Sequence, residues 1–212
     1  MSVATPVDLV YPFFGKWLVQ NSPANRLPSH GTTLFASSYA IDFVPISDAG
    51  GTARITLASL LRSQAPEDFP GYGRPIHSPA TGVVVARHDA LRDHHAYRGL
   101  SSLGYALGQR KRASAGWVAL AGNHVAIDTG VAIVFLCHLR QGTVHVQLGQ
   151  QVTTGETLAE CGNTGNSTEP HVHIQVVDSL NIEHARAVPI SFQGGLPRNG
   201  QVVDVPSIGS AL

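Results

Sequence analysis

The segment from Gly162 to Val177 constrains this chain most, because a turn rich in Gly, Asn and Ser opens straight into His171-Val172-His173-Ile174-Gln175-Val176-Val177. The turn residues accept left-handed or side-chain-bonded backbone. Pro170 has no N–H to give, which a first strand position tolerates. The residues after Pro170 alternate polar and apolar and are rich in β-branched types, the pattern of a strand rather than a helix. Side chains at i and i+2 of a strand share a face, so His171 and His173 are expected to stand side by side over one surface. Two such imidazoles suit a transition metal, one as ligand and the other as neighbouring acid or base. The plainer reading of any His-x-His is a pair of polar residues on a solvated strand face.

The remaining composition fits a domain of short strands. The 212 residues include 22 Gly and 13 Pro, the punctuation of many turns. Basic and acidic side chains balance at 14 each, and only 13% of residues are charged. Nothing therefore draws the chain electrostatically to nucleic acid or to an anionic membrane. No run approaches the roughly 18 apolar residues of a membrane span, and the first residues show no basic leader or apolar core of a secretory signal. Cys137 and Cys161 do not spell a metal site and are expected to be reduced and structural.

Along the chain, residues 1–29 read as an extension of short strands and turns, with Pro6, Pro12, Pro23 and Pro28 opposing a long helix. Strands are expected at Tyr39–Pro45, Gly82–Ala86, Trp117–Asp128 and Val131–His138. Between them, residues 87–116 form an irregular insertion with His88, Arg92, His94 and His95, expected to border a binding groove as its mobile wall. Residues 179–212 read as a tail packed on the domain. Asp42 sits inside the apolar run Ala40-Ile41-Asp42-Phe43, where a carboxylate needs a partner.

The turn and His-x-His together resemble the signature Gly-Asn-Thr-Gly-x-Ser-Thr-Gly-Pro-His-Leu-His of the LytM/lysostaphin-type zinc endopeptidases, departing at Glu169 and Val172. Val146 to Leu158 is similar to that family's two short strands hinged on Gly-Gln and Gly. Cys137-His138-Leu139 and Tyr39-Ala40-Ile41-Asp42-Phe43 fall where the family carries a catalytic His and a ligand Asp. The resemblance runs in order from Tyr39 to Val176 and implies an all-β, antiparallel sheet domain over residues 30–178.

By carry-over, Asp42 and His173 match zinc ligands, while His138 and His171 match the metal-free imidazoles that handle protons. The family's remaining ligand, a His four residues before the Asp, is replaced here by Ser38, a poor zinc ligand. His30 is the first candidate substitute, since a loop from His30 to Asp42 closes at modest cost and Gly31 frees its backbone. His77 and His124 are lesser candidates, and His88, His94, His95, His145 and His184 read as surface residues. Asn163 and Asn166 of the turn are expected to contact substrate.

The resemblance implies a monomeric zinc metalloendopeptidase acting on peptide bonds of peptidoglycan cross-bridges or stems, in an extracytoplasmic setting, although no leader is visible. A second reading is a degenerate binding or activator module of the same fold, for which Ser38 would be the first sign. The two differ in metal content. One equivalent of zinc per chain is expected, and elemental analysis of freshly purified protein, with and without added zinc, checks it.

Overall fold

Apolar residues at every second position of three segments, around Asp42, Cys137 and His173, build the centre of one antiparallel sheet. The computed structural model describes residues 5–52, 63–96, 114 and 116–207. Its strands are β1 (Val7–Leu9), β2 (Gly15–Gln20), β3 (Ile41–Pro45), β4 (Pro75–His77), β5 (Gly82–His88), β6 (Asn123–Asp128), β7 (Ile133–Leu139), β8 (Gln151–Val152), β9 (Thr157–Glu160), β10 (Val172–Val177), β11 (Ile190–Phe192) and β12 (Val202–Val205). Eight of them form the main sheet in the order β12-β2-β3-β10-β7-β6-β5-β8. All seven pairings within it are antiparallel. The chain is thus mostly β, as expected. Among the described residues no helix is long and apolar enough to cross a membrane.

The two faces of the sheet differ. Ile41, Phe43, Val125, Ile127, Val134, Leu136, Val172, Ile174 and Val176 enter one large core. The alternate positions, including Ala126, Phe135 and Cys137, face a smaller cluster on the other side. Because the strand period is two, Asp42 and His173 are carried to that second face by the same alternation that buries their neighbours.

The segments read as extension and tail each give one strand to this sheet, β2 and β12, and one to a separate two-stranded sheet, β1 and β11. β2 sits between β3 and β12, and β11 pairs in parallel with β1. Beneath the site they meet around Phe43, where Phe13 stacks on Trp17 at 4.3 Å and contacts the Phe43 ring at 5.0 Å. Phe192 meets Phe43 from the other end of the chain at 5.3 Å. Low periodicity hid β12 because its burial alternates only between exposed and half-buried at a sheet edge.

Two expected strands need correction. Residues Trp117–Ala121 form a short α-helix, α1, and only Asn123–Asp128 continues as β6. Gly122, at φ 68, ends the helix, and a Cβ there would lie 2.5 Å from Thr164 Oγ1. The His-x-His strand begins at Val172, two residues after Pro170. Most of the 87–116 insertion, namely residues 97–113 and 115, lies outside the described residues.

Phe43 is fully buried and central to the aromatic cluster. Phe43→Ala is expected to cost about 3–5 kcal/mol through lost transfer energy and the cavity left behind. A denaturant titration followed by circular dichroism measures it.

Candidate metal centre

Asp42 reaches the second face fully surrounded by polar groups. Directly across the strand pair β3–β10 stands His173, whose Nδ1 lies 2.8 Å from Asp42 Oδ1. His30 Nε2 lies 3.0 Å from Oδ2, and Asn21 donates to the same oxygen at 2.7 Å. His171 Nε2 approaches Oδ1 at 3.8 Å. Burial pushes the carboxyl up, yet the His30, His173 and His171 imidazoles outweigh it and hold Asp42 well below the usual carboxylate range. The partner that an acid in an apolar strand requires is therefore a ring of imidazoles.

The fold of the 29–38 loop shows how His30 arrives where Ser38 could not serve. Ser29 N–H donates to Ser38 O at 3.0 Å, and Ser29 Oγ donates to Ser37 O at 3.2 Å. These bonds close the loop on itself, so the residue after Ser29 is presented to Asp42. Gly31, at φ 71, turns the chain away immediately afterwards. His30, Asp42 and His173 each offer one ligand atom, all within 4.8 Å of one another.

The hydrogen bonds assign the tautomers. Gln175 Nε2 donates to Phe35 O at 3.0 Å, which turns its Oε1 toward His173 Nε2 at 3.1 Å. His173 Nε2–H is thereby engaged, leaving a bare Nδ1 against the carboxylate. His30 Nδ1–H donates to Ser29 Oγ at 3.0 Å, leaving a bare Nε2 against the other oxygen. With both rings neutral, two nitrogen lone pairs would face the carboxylate at 2.8 and 3.0 Å, contacts that a proton on each ring or one shared cation satisfies. Nitrogen and carboxylate donors with their outer N–H groups anchored suit zinc.

His138 and His171 stand beside this triad. Their rings lie 4.6 Å apart, and His138 is 5.8 Å from His173. His138 donates Nδ1–H to Thr164 O at 2.9 Å, and His171 donates Nδ1–H to Glu169 O at 2.8 Å. His138 Nε2 has no hydrogen-bond partner among the described residues and can accept a proton, whereas His171 turns its Nε2 toward Asp42 Oδ1 at 3.8 Å. Burial, followed by the His171 and His173 charges, holds the His138 imidazole well below its ordinary value.

His138 reaches the site through a break in its strand. Asn123 pairs with Leu139 and His124 with Cys137, so His138 is the extra residue of a β-bulge, at φ 64. Regular alternation would send His138 to the face of Leu136. The bulge re-aims it and restores Leu139 to the large core.

His30, Asp42, His138, His171 and His173, the five residues expected to act together, all meet in this one site. Asn163 requires correction. It is fully buried, donating its amide to His94 O at 2.7 Å and its backbone N–H to Asp93 Oδ1 at 2.6 Å, so it holds the turn instead of facing solvent. Asn166 is half-buried, with its N–H on Leu120 O. His94, read as a surface residue, places Nε2 3.0 Å from Gly165 O and fastens the start of the insertion to the turn. His124, one of the alternative ligands, lies three strands away from Asp42, and His77 pairs with Thr157. Asn21, Ser29 and Gln175 join the site without belonging to any motif. Of these, only Gln175 carries a signal in the sequence, its i+2 spacing from His173. Cys137 and Cys161 are free and buried, and burial pushes both thiols up, so neither is a reactive thiolate.

Residues 105–186 match the profile of peptidase family M23. Among solved structures, the chain is similar to a protein described as a peptidase M23 from Pseudomonas aeruginosa, at 29% identity over 57% of this chain and 39% of that one, with a TM-score of 0.35. It thus spans well under two thirds of that protein. It is also similar to the catalytic domain of the antimicrobial peptidase lysostaphin from Staphylococcus simulans, at 18% identity over 70% of this chain and 74% of that one, with a TM-score of 0.39. A zinc containing peptidase from Vibrio cholerae gives 20% identity over 70% of this chain and 45% of that one, with a TM-score of 0.34.

Ligands and proton-handling groups are different residues here, and their substitution should separate. His30→Ala and His173→Ala are expected to lose stoichiometric zinc, whereas His138→Ala and His171→Ala keep it. Metal analysis after dialysis distinguishes the two groups, and full zinc in His30→Ala would reassign the third ligand.

Proposed function

With an M23 peptidase-type segment spanning residues 105–186, we propose that this protein is a zinc-dependent metalloendopeptidase that hydrolyses peptide bonds of bacterial cell-wall peptides. The observation that carries this reading is the convergence of His30 Nε2 and His173 Nδ1 on the two oxygens of Asp42, three donors within 4.8 Å of one another, beside the further imidazoles His138 and His171. His30, Asp42 and His173 would hold the zinc. When bound, it supplies the Lewis acidity that polarises a carbonyl and makes water a nucleophile near neutral pH.

The remaining steps belong to side chains. His138 Nε2 accepts the proton of the attacking water, since Thr164 O holds its other nitrogen in the donor state. The imidazolium so formed returns that proton to the leaving amine. His171, anchored by Glu169 O and Ser167 Oγ at 3.0 Å, presents its Nε2 to the developing oxyanion or shares the proton relay. Asn166 borders the same turn and contacts substrate.

Incubation with purified wall fragments and a panel of Gly-rich peptides, with products read by mass spectrometry, tests the proposal. Absence of cleavage in zinc-loaded protein would favour the degenerate binding module instead. His138→Ala is expected to lower kcat about 10²–10⁴-fold with zinc retained. Because burial and the neighbouring imidazoles depress His138, its proton-accepting form persists as pH falls past the ordinary value of 6.5. The acid limb of the rate profile should therefore lie below that pH, and stopped assays across pH 4–8 check the sign.

A further inference from the structure

A single row of side chains crosses the sheet away from the metal centre. Asp42 is directly opposite His173, His173 opposite Cys137, Cys137 opposite His124, and His124 opposite His88. Residues directly opposite in antiparallel strands share a face, so His124 and His88 lie on the face that carries the proposed zinc site. At about 4.8 Å per strand, they stand roughly 10–14 Å from His173. The next row on this face is Gln175, Phe135, Ala126 and Ala86, of which Phe135 and Ala126 are buried in the smaller cluster with Ala86 packed against it.

His88 and His124 are anchored in the same way as the catalytic imidazoles. His124 donates Nδ1–H to Gly122 O at 2.9 Å. Asn123 Oδ1 accepts from Leu91 N–H at 2.9 Å, which fixes that atom as the oxygen, and His88 Nδ1–H donates to it at 3.1 Å. Both Nε2 atoms are therefore acceptors, and neither has a partner among the described residues. The rings stack at 5.9 Å and 14°. His124 is only 5% exposed and His88 is half-buried, so a donor that met both Nε2 atoms would bond in a largely dry setting, where a hydrogen bond is stronger than in water. The rings of Trp117 and Phe135 flank it at 6.1 and 6.0 Å. Burial, then the Gly122 bond against it and the His88 charge with it, leaves His124 below its ordinary value.

We propose that the His88–His124 pair is a substrate subsite that binds a primary amine on a residue a few positions from the cleaved bond. This rests on the endopeptidase reading and names the substrate class: an amine-bearing peptide. An ammonium brings three donors for two acceptors and gains from aromatic faces. A carboxylate would meet lone pairs, and an alkyl group would leave His124 Nε2 unpaired. The nearest cation in sequence, Arg87, bonds Gln147 and Val144 instead, at 2.9 and 3.4 Å.

The test uses Gly-rich peptides in which one Lys is walked through four positions on each side of the cut, each with an Nε-acetylated twin. In wild-type protein, kcat/KM is expected to favour the free amine by about 10–100-fold at one position. His88→Phe and His124→Gln should bring that ratio close to one while zinc stays at one equivalent per chain. His88 is half-buried and tolerates replacement, so misfolding of the His124 variant would not remove the test. Equal rates for every pair of twins would overturn the proposal, as would a second zinc equivalent lost in His88→Phe, which would make the pair a metal site. If no peptide is cut, the endopeptidase reading fails instead. Equilibrium binding of the same twins to zinc-loaded protein still reads the amine preference.

Discussion

One buried carboxylate organises this molecule. Asp42 lies in a strand whose neighbours, Ile41 and Phe43, are completely inaccessible to water, and a charge in that position is costly unless several polar partners surround it. Four segments supply them: the end of β2 through Asn21, the 29–38 loop through His30, β10 through His173, and the residue just before β10, His171. The loop bonds at Ser29, the Gln175 amide and the β3–β10 register all serve to hold those groups in place. Removing Asp42 would leave three imidazoles with nothing to converge on.

The neighbouring imidazoles are distinguished by the partner each one's outer nitrogen finds. His30 comes from a loop, His171 and His173 from the entrance of β10 and His138 from a β-bulge; His138 and His171 turn Nδ1–H to a carbonyl, while His30 and His173 turn a ring nitrogen to the carboxylate. The β-bulge at His138 converts a position facing the large core into one facing Asp42 and His171 on the other side of the sheet. The cost is a non-glycine residue at φ 64, offset by the bond to Thr164 and by Leu139 in the core.

The central strands were legible because alternation and β-branching agree there: around Asp42, Cys137 and His173 every second side chain enters the core. Four residues of the candidate site, Asp42, His138, His171 and His173, stand in the motif blocks, and His30 is reached through loop-closure reasoning. Other features depend on contacts that no local pattern encodes. β12 has no buried face of its own, and α1 is a five-residue apolar run whose fate depends on Gly122 meeting Thr164. Asn163, polar and in a turn, reads as exposed, yet Asp93 and His94 cover it. His88 and His124 become a pair only once β5 is laid against β6 in the right register.

The two halves of the His30–Asp42–His173 cluster are far apart in the chain: Asp42 and His173 are separated by 131 residues, His30 and Asp42 by only 12. Synthesis proceeds from the amino end, so His30 and Asp42 emerge long before β10 exists to slot between β3 and β7. Until then the growing chain carries a two-donor loop, a far weaker trap for a cation than the finished triad. Assembly of the three-donor cluster is thereby tied to completion of the sheet, and a polypeptide truncated before β10 lacks both its third donor and the central strand of its core.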